Sequence, residues 1–231
     1  MSLVFPIARG AFIVSCQARE DNPLHGAHFM AAMALAAEQG GALALRANGA
    51  ADIAAIKRVS LLPVIGLKKV EQPGFPVTIT PDFAAAREAA DAGADMIAID
   101  ATGRPRDGEP LEELIPMIRD RLGKPVMADI ATLEEALHAA ALGADCVATT
   151  LSGYTQETVE KLKGGPDFAL LKALVAQSPV PVIAEGRFDT PGRAREALRL
   201  RAHAVVVGTA ITNPREITRK FAEACGKESI R

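Results

Sequence analysis

The stretch that decides the fold is AAREAADAGADMIAID at residues 85–100. It reads as an alanine-rich helix, a small-residue turn at Gly93, and then an apolar strand that stops on a carboxylate, Asp100. Three other segments read the same way: AAMALAAEQGGALALR (31–46), EEALHAAALGADCVATT (134–150) and REALRLRAHAVVVGTA (195–210). The turn glycines Gly41, Gly93 and Gly143 lie 52 and 50 residues apart, and the fourth copy has Arg201 or Ala202 in their place. Glycine suits a helix C-terminus because the residue there often takes a positive φ.

A second series interleaves with the first: LLPVIGL (61–67), GKPVMADI (123–130) and PVPVIAEG (179–186). Each of these strands opens at a proline, Pro63, Pro125 or Pro181, a position where the missing N–H is tolerated. With AFIVSC (11–16) there are eight apolar strands, roughly 25–35 residues apart, with helical patterns between them. That alternation predicts βα units and a parallel sheet. Eight units in 231 residues predict a single-domain α/β fold, a closed (β/α)8 TIM barrel spanning 1–231. The doubly wound alternative would carry a glycine-rich fingerprint after its first strand, where this chain has Ser15-Cys16-Gln17-Ala18. Helix starts are expected at Thr80-Pro81, Thr190-Pro191 and Asn213-Pro214, each an N-cap residue before proline, and Thr132 with Glu135 forms a capping box.

Hydrophobic residues make up 49% of the chain, enough for a sizeable core, and the net charge is −2 with both signs interspersed. No basic stripe points to nucleic acid, and no run of about 18 apolar residues points to a membrane span. Met1 to Gly10 shows no charged segment followed by an apolar one, so no signal peptide is expected. Three cysteines with no CxxC pair fit a reduced, cytoplasmic protein. Four histidines, His25, His28, His138 and His203, show neither HxH nor HExxH spacing, so no metal is expected. No dinucleotide or P-loop motif appears, and no cofactor is implied.

Barrel enzymes place their chemistry at the C-terminal ends of the strands. Here those ends read Cys16-Gln17, Arg46, Gly66-Leu67-Lys68-Lys69, Asp100, Asp129, Thr149-Thr150, Glu185-Gly186-Arg187 and Gly208-Thr209. One rim thus gathers most of the ionisable groups. Asp100 admits two readings, a site carboxylate or a cap for the following loop. Of the neighbours Lys68 and Lys69, alternation lets only one point inward. Glu185 directly follows the apolar run Val182-Ile183-Ala184, which favours a functional carboxylate. Cys16 reads as a small buried hydrophobe. Gly186 and Gly208 end strands seven and eight, whose loops often build a phosphate site from backbone N–H groups, and Arg187 adds a cation there. These features predict an enzyme acting on a small phosphorylated metabolite.

The segments GAFIVSCQA (10–18), PVIGLKK (63–69), GADMIAIDATGRPR (93–106), TTLSGYT (149–155), PVIAEGRFDTP (181–191) and VVVGTAITNP (205–214) closely resemble the N-acetylmannosamine-6-phosphate 2-epimerases. The resemblance runs from about Gly10 to Phe221. It implies an isomerase of amino-sugar and sialic acid breakdown that inverts C2 of N-acetylmannosamine 6-phosphate to give N-acetylglucosamine 6-phosphate, without a redox cofactor and often as a homodimer. The family's Gly-x-x-Lys pattern puts the catalytic lysine on Lys69. Its glutamate falls on Glu185, its arginine on Arg46, its glutamine on Gln17 and its aspartate on Asp129, with Thr150, Gly186, Arg187, Gly208 and Thr209 completing the expected substrate site. Some members carry arginine where Asn213 stands, near the phosphate; Arg215, Arg187 or backbone N–H groups are the candidates to replace it.

These residue types suit the chemistry. The C2 hydrogen is removable only when C1 is an open-chain aldehyde, and the lysine must lose its proton near neutral pH to take it, which burial or a neighbouring cation such as Lys68 would favour. Glu185 and Asp129 suit the ring-opening proton transfers. Arg46 and Gln17 are candidate donors to the charge that develops on O1. Two other readings fit the same rim: a Schiff-base aldolase using Lys69, and a sugar-phosphate-binding protein without catalysis.

Overall fold

All eight expected strands form, and each pairs in parallel with the next until β8 closes on β1. The computed structural model describes residues 4–226. In chain order the elements are β1 (Ala11–Cys16), α1 (Ala27–Gln39), β2 (Ala44–Asn48), α2 (Ala50–Val59), β3 (Val64–Leu67), α3 (Phe83–Asp91), β4 (Met96–Asp100), α4 (Leu111–Leu122), β5 (Val126–Asp129), α5 (Leu133–Ala141), β6 (Cys146–Ala148), α6 (Phe168–Gln177), β7 (Val182–Ala184), α7 (Pro191–Arg199), β8 (Ala204–Val207), α8 (Thr209–Thr212) and α9 (Pro214–Ala224). The expected (β/α)8 barrel is therefore the observed one.

Two apolar layers hold it. Side chains facing out from the strands, such as Val14, Leu45, Val64 and Ile97, pack under the helices. Those facing in, such as Ile13, Ile65, Met96, Met127 and Ile183, fill the barrel. Gly66 shows how tight the outer layer is. A Cβ there would lie 2.5 Å from Ala94 Cβ and 3.0 Å from Ile53 Cδ1, so the glycine of the Gly-x-x-Lys pattern is required by helix packing.

The strand-opening prolines sit one residue before β3, β5 and β7. They lack the N–H but still supply a carbonyl, to Leu45, Ile97 and Val147 respectively. Between the repeats, Asp95 and Asp145 each accept the first N–H of a neighbouring strand, from Val64 and Val126, both at 2.8 Å. The turn glycines adopt φ of 97°, 103° and 100°, and Arg201 takes the same left-handed place with φ 69°.

The helix starts at Thr132, Thr190 and Asn213 form as expected, each side chain accepting an N–H of the first turn. Thr80-Pro81 does not open a helix. Thr80 is buried with φ 46°; its hydroxyl accepts the Lys68 N–H and donates to the Ala98 carbonyl. The cap is Asp82, which accepts the Ala85 N–H at 2.7 Å. Residues 78–80 instead fold back antiparallel on 68–70 and pin the backbone that carries both lysines.

Candidate active site

The barrel mouth opens on a cavity of about 810 Å³ whose wall includes Gln17, Asn48, Lys69, Thr150, Glu185, Gly186, Arg187, Gly208 and Thr209. Lys68 and Lys69 separate as alternation requires. Lys68 turns outward to an ion pair with Glu88. Lys69 turns into the cavity, and its pKa is pushed down, first by burial and then by the Arg46 and Arg19 cations. The cation acting on Lys69 is thus not Lys68, whose charge is matched outside the barrel.

Arg46 and Asp129 do not line the cavity. They lie beneath its floor, 1% and 0% exposed at the side chain. Arg46 is not the last residue of its strand, which continues to Asn48. Its Nη1 donates to Asp129 Oδ1 at 3.1 Å and its Nη2 to Asp129 Oδ2 at 2.5 Å, and Nη1 also binds Glu185. Thr150 donates to Asp129 Oδ1 at 2.7 Å. One guanidinium therefore faces two carboxylates. Desolvation and the Asp129 charge hold the Glu185 carboxyl above its ordinary range against the pull of Arg46. Of the two carboxylates, Glu185 is the one that reaches the cavity.

Gln17 donates through Nε2 to Ser15 Oγ at 2.9 Å, while its Oε1 is buried without a partner among the described residues. Gly186 and Arg187 take successive positive φ values, 107° and 60°. This turn throws the Arg187 side chain across the mouth. Nε donates to the Gly165 carbonyl and Nη1 to the Ser152 carbonyl, both at 2.5 Å, and the guanidinium lies 5.5 Å from the Tyr154 ring centre. Two of its three nitrogens are thus spent on the β6–α6 loop. Gly208 is crowded by Ser15, whose Cβ would stand 3.3 Å from an added Cβ, and the exposed Thr209 begins α8. Asn213 accepts from Asn22 and caps α9. Arg215 holds Asp21 through an exposed pair, 3.1 Å to its carboxylate and 3.0 Å to its carbonyl.

Asp100 lies away from the cavity. It accepts from the Thr102 backbone and hydroxyl and from Arg104, and so caps its own loop. Burial pushes the Cys16 thiol up to about 12, which leaves no thiolate near neutral pH. His203 binds the Ile7 carbonyl on the opposite rim, and His138 meets Glu112 on the helix surface. Among the described residues no group of three or more His, Cys, Asp and Glu side chains is placed to hold a metal ion, and no helix is long and apolar enough to cross a membrane. Asn48, Arg19 and Ser15, which no sequence motif singles out, also line the cavity.

Comparison with known proteins gives one consistent result. Residues 30–227 match the family described as "Putative N-acetylmannosamine-6-phosphate epimerase". A relative from Enterobacter sp. (strain 638), named "Putative N-acetylmannosamine-6-phosphate 2-epimerase", is 50% identical over 100% of this chain and 99% of its own. One of the same name from Shouchella clausii is 47% identical over 97% of this chain and 99% of its own. The solved structure of the N-acetylmannosamine-6-phosphate 2-epimerase from Clostridium perfringens superimposes with a TM-score of 0.91 at 46% identity, covering 94% of each chain. The thiamine phosphate pyrophosphorylase of Pyrococcus furiosus, 17% identical with a TM-score of 0.59 over 93% of this chain and 96% of its own, shares the fold alone. The chain belongs to the N-acetylmannosamine-6-phosphate epimerase family.

Proposed function

We propose that this protein is an isomerase that converts N-acetylmannosamine 6-phosphate to N-acetylglucosamine 6-phosphate by inverting C2, in amino-sugar and sialic acid breakdown. The observation that carries the reading is Lys69: an amine on the cavity wall whose pKa is held down by burial and two arginines. Lys69 in its neutral form takes the C2 proton of the open-chain aldehyde. The C–H electron pair becomes the C1=C2 bond of an enolate, with the charge on O1. A proton then returns to C2 on the other face and the aldehyde is restored. Glu185, whose carboxyl burial holds above its ordinary range, lines the cavity and suits the accompanying proton transfers. No redox cofactor enters this chemistry.

Arg46 and Asp129 act from beneath the floor in this account. They position Glu185 and set the charge around Lys69, with Thr150 tying Asp129 to the cavity wall. Gln17 offers polar contacts to the sugar. The 6-phosphate falls to the glycine turns Gly186 and Gly208 and to Thr209, where close backbone approach favours an anion. Of the two arginines named for it, Arg187 is held by loop carbonyls, whereas Arg215 has only an exposed pair with Asp21, of a kind worth about 0–1 kcal/mol, which a phosphate can displace. The family resemblance supports a cytoplasmic homodimer, and Phe221 on α9, 69% exposed, offers apolar surface for association.

The test is to incubate the purified protein with N-acetylmannosamine 6-phosphate and follow the anomeric and C2 signals by NMR. Conversion to the gluco epimer is the expected result. An unchanged substrate would contradict the reading.

A further inference from the structure

An enolate needs a hydrogen-bond donor on O1, and the two candidates at the strand ends, Arg46 and Gln17, both give N–H groups to other partners. Arg46 is 1% exposed and gives its terminal nitrogens to Asp129 and Glu185. Gln17 Nε2 already gives one of its two N–H groups to Ser15 Oγ, and its Oε1 is buried without a partner among the described residues. Thr150 donates to Asp129. Asn48 differs. It is the last residue of β2, two positions beyond Arg46, and alternation sends both side chains inward. Its side-chain oxygen accepts the backbone N–H of Lys69 at 2.8 Å. Because that partner can only donate, the carboxamide has one possible orientation, with Oδ1 toward Lys69 N and Nδ2 turned away from it. Asn48 lines the cavity together with Lys69, and Nδ2 has no acceptor among the described residues.

We propose that Asn48 is a further catalytic residue of the reaction proposed above, its Nδ2–H donating to substrate O1 as negative charge develops there. The bond between Asn48 Oδ1 and Lys69 N couples the donor to the base, so that one rigid unit presents both to the C1–C2 pair. Charge develops on O1 only as Lys69 draws off the C2 proton, so the bond strengthens in the transition state and contributes to kcat more than to substrate binding. The amide carries no charge and leaves the depressed pKa of Lys69 in place.

Two substitutions separate this role from simple anchoring of Lys69. Asn48→Asp keeps the oxygen that accepts the Lys69 N–H, replaces the amide NH2 by a second oxygen and adds a negative charge. Asn48→Ser is uncharged and too short to do either. Turnover of N-acetylmannosamine 6-phosphate and C2 deuterium uptake from D2O are measured for both against the unaltered protein, each at its own pH optimum, with folding checked by circular dichroism. The donor role predicts that both variants lose about 10²–10³-fold in kcat. Deuterium uptake falls in step, and the acid limb of the Ser variant stays where it is in the unaltered protein. Anchoring alone predicts that the new carboxylate only moves the acid limb of Asn48→Asp to higher pH, with kcat at its optimum within about threefold of normal, which overturns the proposal. Should Asn48→Asp fail to fold, the Ser variant decides: a displaced acid limb shows that Lys69 has moved and also overturns it. An unaltered protein that turns over while Asn48→Asp matches it removes only the role of Asn48. An unaltered protein without turnover removes the function and this role together.

Discussion

Arg46 and Asp129 meet across the barrel floor as a two-pronged pair, Nη1 to Oδ1 at 3.1 Å and Nη2 to Oδ2 at 2.5 Å, with neither side chain more than 1% exposed. Their elements, β2 and β5, are not neighbours in the sheet, so the pair ties opposite walls together directly below Glu185 and Lys69. Charge and scaffold are thus one unit here.

Removing one partner from such a pair leaves a buried charge uncompensated. Arg46→Ala is expected to cost about 3–5 kcal/mol of stability, read from a denaturant midpoint. Asp129→Asn, which keeps the shape and one acceptor, should fold more stably than Arg46→Ala but lose activity. Its loss shows as a reduced kcat, since Asp129 does not line the cavity.

Activity should rise with pH as Lys69 gives up its proton, with the midpoint of that limb below the ordinary lysine value of 10.5. Arg19 is one of the cations that hold it down. Taking away a positive charge makes the protonated amine easier to keep, so Arg19→Ala should move the limb to higher pH. A kcat/KM profile of the two proteins checks the direction.

Arg215→Ala should raise KM for the phosphorylated sugar by about 10-fold, equivalent to about 1.4 kcal/mol, with little change in kcat. Asp21→Asn, which removes the charged partner of Arg215 and leaves its bond to the Asp21 carbonyl, should lower KM or leave it unchanged. Steady-state kinetics at fixed ionic strength decides both.

Gly66→Ala should destabilise by about 1–3 kcal/mol, because its Cβ would be driven into Ala94 at 2.5 Å. Arg201→Gly should do the reverse by about 1 kcal/mol or more, since Arg201 occupies a left-handed position that its three counterparts fill with glycine. Thermal or urea unfolding reads both changes.

The repeat made the barrel legible because each copy of helix, glycine and strand has the same period and the same φ requirement at its turn; even the copy without glycine keeps the geometry at Arg201. The prolines before β3, β5 and β7 located three strands for a similar reason, the loss of an N–H that only a strand end tolerates. The site was legible by residue type and only partly by position. Lys69 and Glu185 reach the cavity as the strand ends suggest. Arg46 and Asp129 share the rim in sequence yet are buried beneath it, because depth inside a barrel depends on how strands stagger, which spacing does not encode. Ending β2 at Arg46 hid Asn48, although alternation alone puts it on the same face. Thr80-Pro81 carries the local signal of a helix start, and tertiary hydrogen bonds from Thr80 to Lys68 and Ala98 override it. Arg187 lines the cavity as its place after Gly186 suggests, but nothing local to it announces the carbonyls of Ser152 and Gly165, 35 and 22 residues away, that hold its side chain.

The central claim is that Lys69 removes the C2 proton. The most direct test is NMR of N-acetylmannosamine 6-phosphate with the protein in D2O, run beside Lys69→Ala. The account predicts the gluco epimer with deuterium at C2 from the unaltered protein, and a loss of at least about 10²-fold in both epimer and label from a folded Lys69→Ala. Undiminished turnover in that folded variant would contradict it.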